Sequence, residues 1–311
     1  MKFTLQLAGA ALAIAIIALA GFIADANIRI AREETGTPSA GAPGRFIMVG
    51  EHTLHVATVG DITADASGTP LVLLHGYGVQ GHAAWLPWAT RLTATRSLIM
   101  PDMLGFGHSD RTAQPGPHYT VKNQAAALAA ILDDLGIAHV DIVGNALGGA
   151  IAAQFALAYP ARVRRVVFMD AAIYSRPHIA GTGMRLIDRA LLWQFRTGGP
   201  RSDLAQSCGT QGNCRPLRLA RVRGTTDALI AMTNTPDESD LAQRIPEITA
   251  PSLVIWGADD HALPVADGDR LARDLKTTIS IVANAGDKPY VSQPEKVAQR
   301  VMDFLQTPAA P

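Results

Sequence analysis

The run Val140-Asp141-Ile142-Val143-Gly144-Asn145-Ala146-Leu147-Gly148-Gly149 contains the transition that decides the fold. Val140 to Val143 is dominated by β-branched apolar residues and reads as a buried strand, whereas Leu147 to Ala158 has the small and apolar spacing of a helix. The glycines between them allow the chain to turn sharply. A strand that hands over directly to a helix is the repeating unit of an α/β layer structure.

The same alternation extends in both directions. Leu71 to Leu74, Ser97 to Met100, Val163 to Met169, Ser252 to Trp256 and Ile279 to Val282 read as further strands. Ala83 to Thr93, Val121 to Leu135, Ala266 to Leu275 and Glu295 to Leu305 read as helices. Strands that are apolar throughout predict a doubly wound, mostly parallel sheet covered on both faces. Phe46 to Val49 and His52 to Thr58, around Gly50-Glu51, predict an antiparallel hairpin ahead of it. The alternation stops after Ala171, where helical stretches such as Met184 to Phe195 and Asp227 to Met232 dominate. This division gives a core of 45–171 and 248–307 with a helical cap of 172–247 inserted over the carboxyl edge of the sheet, where α/β folds bind ligands.

Leu7 to Ala24 carries no charge and follows the single cation Lys2. Eighteen helical residues span roughly 27 Å, close to the hydrocarbon thickness of a bilayer. Residues 1–26 are therefore expected to be a signal anchor, with a cleaved signal peptide as the competing reading, because Ala18-Leu19-Ala20 and Ala24-Asp25-Ala26 have small residues at cleavage spacing. Residues 27–44 would be a linker. Either version predicts an exported protein, membrane-anchored or extracytoplasmic, with the membrane as a partner through this helix. Cys208 and Cys214, in a glycine-containing stretch, are placed to close a small disulfide loop in an oxidising compartment, or else stand as two thiols. Two cysteines are too few for a structural zinc site, so no metal is expected.

Lysine plus arginine and aspartate plus glutamate number 27 each in 311 residues. That balance leaves no field to attract nucleic acid, and a small neutral ligand is the expected partner. Nothing in the sequence sets an oligomeric state.

Three loops carry a resemblance to a known family: His75-Gly76-Tyr77-Gly78 after one strand, Pro101-Asp102-Met103-Leu104-Gly105-Phe106-Gly107-His108-Ser109-Asp110 after the next, and Gly257-Ala258-Asp259-Asp260-His261-Ala262-Leu263-Pro264 after a late one. From about Phe46 to Leu305 the chain resembles the α/β-hydrolases, particularly the capped carbon–carbon-bond hydrolases and esterases. The resemblance implies a nucleophile elbow, GxSxG, at Gly144 to Gly148, where this chain has Ala146 in place of serine. It implies a histidine in a pattern like NAGHxPxxxQP, where this chain has Asp287. The family's acid is retained at Asp260, with Asp170 as an alternative position, and the backbone N–H groups of Tyr77 and Leu147 would form an oxyanion hole. No cofactor is implied.

A methyl group cannot attack a carbonyl, and a carboxylate cannot relay a proton as imidazole does. The sequence therefore predicts a chain without triad chemistry: a non-enzyme of hydrolase fold, whose capped pocket binds a small apolar ligand containing a carbonyl. Two other readings compete with it. One is a hydrolase with rewired chemistry, pairing Asp260 or Asp287 with His75, His108 or His261 to act on an ester or carbon–carbon bond. The other is a protein-interaction module. Ser109 and Ser175 lack the elbow frame and read as loop hydroxyls.

Overall fold

The computed structural model describes residues 2–38, 42–62, 69–93, 96–175, 182, 184–197, 219, 221–235 and 240–307. Cys208 and Cys214, and with them the expected disulfide, lie outside the described residues.

Among the described residues eight strands form one sheet: β1 (Arg45–Val49), β2 (His52–Val59), β3 (Leu71–Leu74), β4 (Leu98–Pro101), β5 (Val140–Asn145), β6 (Val163–Met169), β7 (Ser252–Gly257) and β8 (Ile279–Val282). Their order is β1-β2-β4-β3-β5-β6-β7-β8. β1 and β2 form the expected hairpin, β2 meets β4 antiparallel, and all remaining pairs are parallel.

Period-two alternation along each strand divides the core. Val72, Leu74, Ile142, Val166 and Phe168 face a layer made by α3 (Val121–Asp134) and α4 (Leu147–Ala158). Their neighbours Leu71, Leu73, Val143, Val167 and Met169 face the opposite layer. That second layer contains α2 (Leu86–Ala89), α9 (Pro289–Ser292) and α10 (Pro294–Gln306). Here Trp85 stacks on Tyr290 with ring centroids 4.2 Å apart, and Trp88 donates its indole N–H to the Pro294 carbonyl at 3.0 Å. Burying each such ring is worth on the order of 2–3 kcal/mol, so this cluster fixes the last helices against the sheet.

The helix expected over Ala83 to Thr93 is instead a 3₁₀ turn at Gly81–Ala84 followed by the short α2. Pro87 has no amide hydrogen to continue a ladder begun before it, so a new turn starts there. The cap contains α5 (Arg185–Thr197), α6 (Thr225–Thr233) and α7 (Leu241–Arg244), and α8 (Val265–Asp274) follows β7.

The N-terminal helix α1 runs from Lys2 to Glu33, so the linker expected from residue 27 begins only after Glu33. Its span Ala10–Glu33 is long and apolar enough to cross a membrane, and Leu12, Ile14, Ile16, Ile17, Leu19 and Phe22 are exposed along it. The end of the helix is held by tertiary contacts that sequence spacing does not display. Ala26 and Ile30 pack against Ala190 and Trp193 of α5. Asn27 donates to the Leu186 carbonyl at 3.0 Å and accepts from Arg189 at 2.8 Å. Just beyond, the buried Glu34 carboxylate accepts the backbone N–H of Thr226 at 3.0 Å and its hydroxyl.

Candidate active site at the carboxyl edge of the sheet

The turn between β5 and α4 has the geometry of a strained elbow. Ala146 sits at φ 48°, ψ −112°, a region that costs a non-glycine residue on the order of 1–3 kcal/mol. The surroundings enforce it. Ala146 donates its N–H to Met169 at 3.0 Å, and its carbonyl accepts from Gly149 and Ala172, both at 3.0 Å. A Cβ at Gly144 would lie 2.3 Å from the Gly148 carbonyl, one at Gly148 2.0 Å from the Leu74 carbonyl, and one at Gly149 2.5 Å from the Ala171 methyl. Only glycine fits at these three positions, which explains their spacing around the turn. Leu147 is the first residue of α4, so its N–H has no acceptor within the helix. Gly76, just before Tyr77, lies against the elbow: a Cβ there would be 3.1 Å from the Ala146 methyl.

Beside the elbow stand the carboxylates. Asp170 is wholly buried at φ 44°, between Met169 and Ala172, which both hydrogen-bond to the Ala146 backbone. Its Oδ1 accepts the Gly257 N–H at 2.8 Å, and its Oδ2 is buried with no donor. Asp260, after β7, accepts the N–H groups of Ala262 at 2.7 Å and Leu263 at 2.9 Å through Oδ1, and its Oδ2 is likewise buried with no donor. The charge of Asp260 acts on Asp170 across the gap between β6 and the loop after β7. Burial above all, with the charges of Asp260 and Asp287 adding to it, pushes the Asp170 carboxyl up to about 8. Burial also raises Asp260. Burial and the neighbouring carboxylate charges together disfavour ionisation of Asp170, which keeps its proton toward neutral pH.

Asp287 stands after β8, with its side chain 56% exposed and 3.7 Å from the Lys288 ammonium. Its backbone, not its side chain, is tied to the elbow: Asn145 donates to the Asp287 carbonyl at 2.9 Å and to the Met169 carbonyl at 3.2 Å. Asn145 was missed from sequence, although a buried polar residue just before a tight turn is the signal that marks it.

The histidines considered as substitute bases have three different settings. His75 donates from Nδ1 to the Gly76 carbonyl at 2.8 Å and accepts the Met103 N–H at Nε2, 3.1 Å away. It shapes the loop, and burial lowers its proton affinity. His108 is buried and bonded to the Pro38 carbonyl at 2.6 Å, and His261 is exposed. Asp260 therefore has carboxylate neighbours and no imidazole: burial first, and then the charge of Asp287, raise its proton affinity.

A family model described as the alpha/beta hydrolase fold matches residues 69–198. The 2-hydroxy-6-oxo-2,4-heptadienoate hydrolase of a Pseudomonas putida strain is 30% identical over 288 residues, covering 84% of this chain and 96% of its own. A 2-hydroxymuconate semialdehyde hydrolase of a Pseudomonas species is 29% identical, covering 85% of this chain and 96% of its own. Among solved structures, a membrane phospholipase A superposes with a TM-score of 0.64 at 24% identity over 98% of both chains, which leaves too few residues outside to exclude α1. The chain belongs to the α/β-hydrolase fold family.

These relatives overturn one expectation. The sequence predicted a non-enzyme, whereas proteins similar over nearly their whole length are named hydrolases, which points to an enzyme. The error lay in one inference. A missing hydroxyl at Ala146 and a missing imidazole at Asp287 rule out an acyl-enzyme route through those positions, but they do not rule out catalysis by other groups at the same sheet edge.

Proposed function

We propose that this chain is a membrane-anchored hydrolase that cleaves an ester or carbon–carbon bond in a small apolar substrate containing a carbonyl, by direct attack of water. The observation that carries this reading is a pair of buried carboxyls, Asp170 and Asp260, beside the elbow, each held by backbone N–H groups through Oδ1 and donorless at Oδ2, with burial raising the proton affinity of both.

In this mechanism the backbone N–H groups of Leu147 and Tyr77 polarise the substrate carbonyl and stabilise the oxyanion. The Asp260 carboxylate takes a proton as water oxygen bonds to the carbonyl carbon. The bond to the leaving carbon or oxygen then breaks, and the Asp170 carboxyl delivers its proton to that atom. One water is consumed, and the pair ends with one proton as it began. Ala146 leaves space where a covalent nucleophile would stand, and the exposed Asp287 acts through its charge. Reaction class is supported by the named activities of the relatives, and anchoring by the length and exposure of α1. Export follows from the same helix.

The test uses the full-length chain in detergent, p-nitrophenyl esters, a vinylogous diketone acid, and prior treatment with a fluorophosphonate. Turnover should survive that treatment and fall about 100-fold or more in Asp260→Asn and Asp170→Asn. Absence of turnover above buffer, or rates in either variant equal to those of the unaltered chain, would refute the reading.

A further inference from the structure

A second buried group of titratable side chains lies away from the carboxyl pair, where β2 meets the loops that follow β3 and β4. Asp102 is its centre and is fully buried. Its Oδ1 accepts the ring Nδ1–H of His82 at 2.9 Å and the His82 backbone N–H. Its Oδ2 accepts the His108 backbone N–H at 2.8 Å and the Nδ1–H of His55 at 2.8 Å. A Cβ at Gly81 would fall 2.0 Å from this carboxylate's Oδ1, and one at Gly107 2.1 Å from its Cγ, so two glycines leave it space. Although burial opposes ionisation, these donors hold the carboxyl far below the usual carboxylate range.

The other end of the His55 ring is equally committed. Its Nε2 lies 2.8 Å from the carbonyl oxygen of Pro43, in the segment that joins α1 to β1. Neither the carboxylate nor the proline carbonyl can donate. A neutral imidazole has one N–H, so one of these two contacts would set lone pair against lone pair. Turning the ring over would press carbon against the same oxygens. Only the doubly protonated ring satisfies both.

The two neighbouring rings are His82 and His108. His82 and His108 both have a buried Nε2 with no partner, and each commits Nδ1 to an acceptor, Asp102 and Pro38 respectively. Burial lowers the proton affinity of His108. The groups packed around His55 are thus one carboxylate (Asp102), the imidazoles of His82 and His108, the Phe46 ring at 5.2 Å between centroids, and the Ser109 hydroxyl, which accepts the His55 backbone N–H at 2.8 Å. Arg111 closes the outside, donating to the carbonyls of Gly107 and Ser109, both at 2.7 Å. A cation at His55 lies directly against the Asp102 anion, the paired arrangement in which buried charge is tolerated.

We infer that His55 is a buried imidazolium that pins the membrane tether, through the Pro43 carbonyl, to Asp102 and so to the loop of residues 75–82 that carries Tyr77. His108 makes a second attachment to the same tether at Pro38. Removing the second ring proton breaks one end of the bridge and frees Pro43 from Asp102. The ligand atoms of His55, His82 and Asp102 lie within 4.8 Å of one another, a spacing compatible with a cation. Four N–H groups already converge on the carboxylate, however, and a metal ion there would face donors; the shared-proton bridge suits the site, the metal does not.

The test is long-range ¹H–¹⁵N spectroscopy on the full-length, ¹⁵N-histidine-labelled protein in nanodiscs at pH 7.5, where an ordinary histidine is mostly neutral. One ring should show both nitrogens protonated, and that signal should vanish in His55→Gln. Hydrogen exchange at residues 44–49 should accelerate at least about tenfold in the variant. Should His55→Gln not fold, a pH titration of the unaltered protein replaces it: loss of the doubly protonated signal and faster exchange should coincide. A ring with one protonated and one bare nitrogen at pH 7.5, or a His55 signal that shifts on adding zinc, would overturn the inference. Neither readout depends on enzymatic turnover.

Discussion

Asp170, at the end of β6, and Asp260, in the loop after β7, each leave one carboxylate oxygen, Oδ2, buried with no donor. Their remaining oxygens are fixed by backbone N–H groups, so neither carboxyl can turn away. A proton kept on Asp170 is the arrangement that leaves no bare pair of like charges.

Stability should therefore depend on pH in a defined direction. Asp170 titrates near 3.9 when unfolded and at about 8 when folded. Between these values the folded chain holds a proton that the unfolded chain has released, so stability is full below about 4, declines as pH rises toward about 8, and levels off above it. The limiting slope is about 1.4 kcal/mol per pH unit. Asp170→Asn should flatten it, as urea denaturation at pH 5, 6.5 and 8 would reveal; an unchanged slope contradicts the proton kept on Asp170.

The rate should follow the same group. Turnover needs Asp170 protonated to supply the leaving group, so activity should fall above pH about 8 with the slope of a single ionisation. In Asp170→Asn that alkaline limb should disappear along with most of the rate. Measuring kcat against pH for both proteins decides the point.

Restoring triad side chains offers a separate check on the elbow. Ala146→Ser with Asp287→His should gain covalent labelling by a fluorophosphonate, since a hydroxyl would stand at the strained turn with an imidazole on the β8 loop. Each single change should label at least about 100-fold more slowly. A double variant that folds yet stays unlabelled would show that the Asp287 loop does not present its side chain to the elbow.

Packing at the turn predicts a stability contrast. Gly148→Ala drives a methyl to 2.0 Å from the Leu74 carbonyl, whereas Gly78 has open space around its would-be Cβ. The first should cost about 3 kcal/mol or more and the second under about 1, measured as midpoints of chemical denaturation.

The cap and α1 should come apart together. Glu34→Ala leaves the Thr226 N–H and hydroxyl without their buried acceptor, a loss of roughly 1–3 kcal/mol. Proteolysis near residues 34–38 should quicken in this variant; an unchanged cleavage rate would mean that Glu34 does not hold the join.

Most of the layer structure was legible in the chain itself, because strand and helix periods depend only on neighbouring residues. Leu71 to Leu74, Val163 to Met169 and Leu147 to Ala158 fell where the apolar spacing put them, and Gly144, Gly148 and Gly149 announced a turn too tight for side chains. The absence of a serine at 146 and a histidine at 287 was equally plain. Other features required tertiary structure. That the charge of Asp260 acts on Asp170 depends on the adjacency of β6 and β7, that Glu34 joins α1 to the cap spans 192 positions, and that His55 meets both Asp102 and Pro43 depends on three segments folding together. Periodicity records what each residue does to its neighbours, whereas the proton affinity of a carboxyl or imidazole is set by burial and by charges brought from distant parts of the chain. For that reason the sequence determined the architecture, and tertiary contact decided the surroundings that set each group's proton affinity.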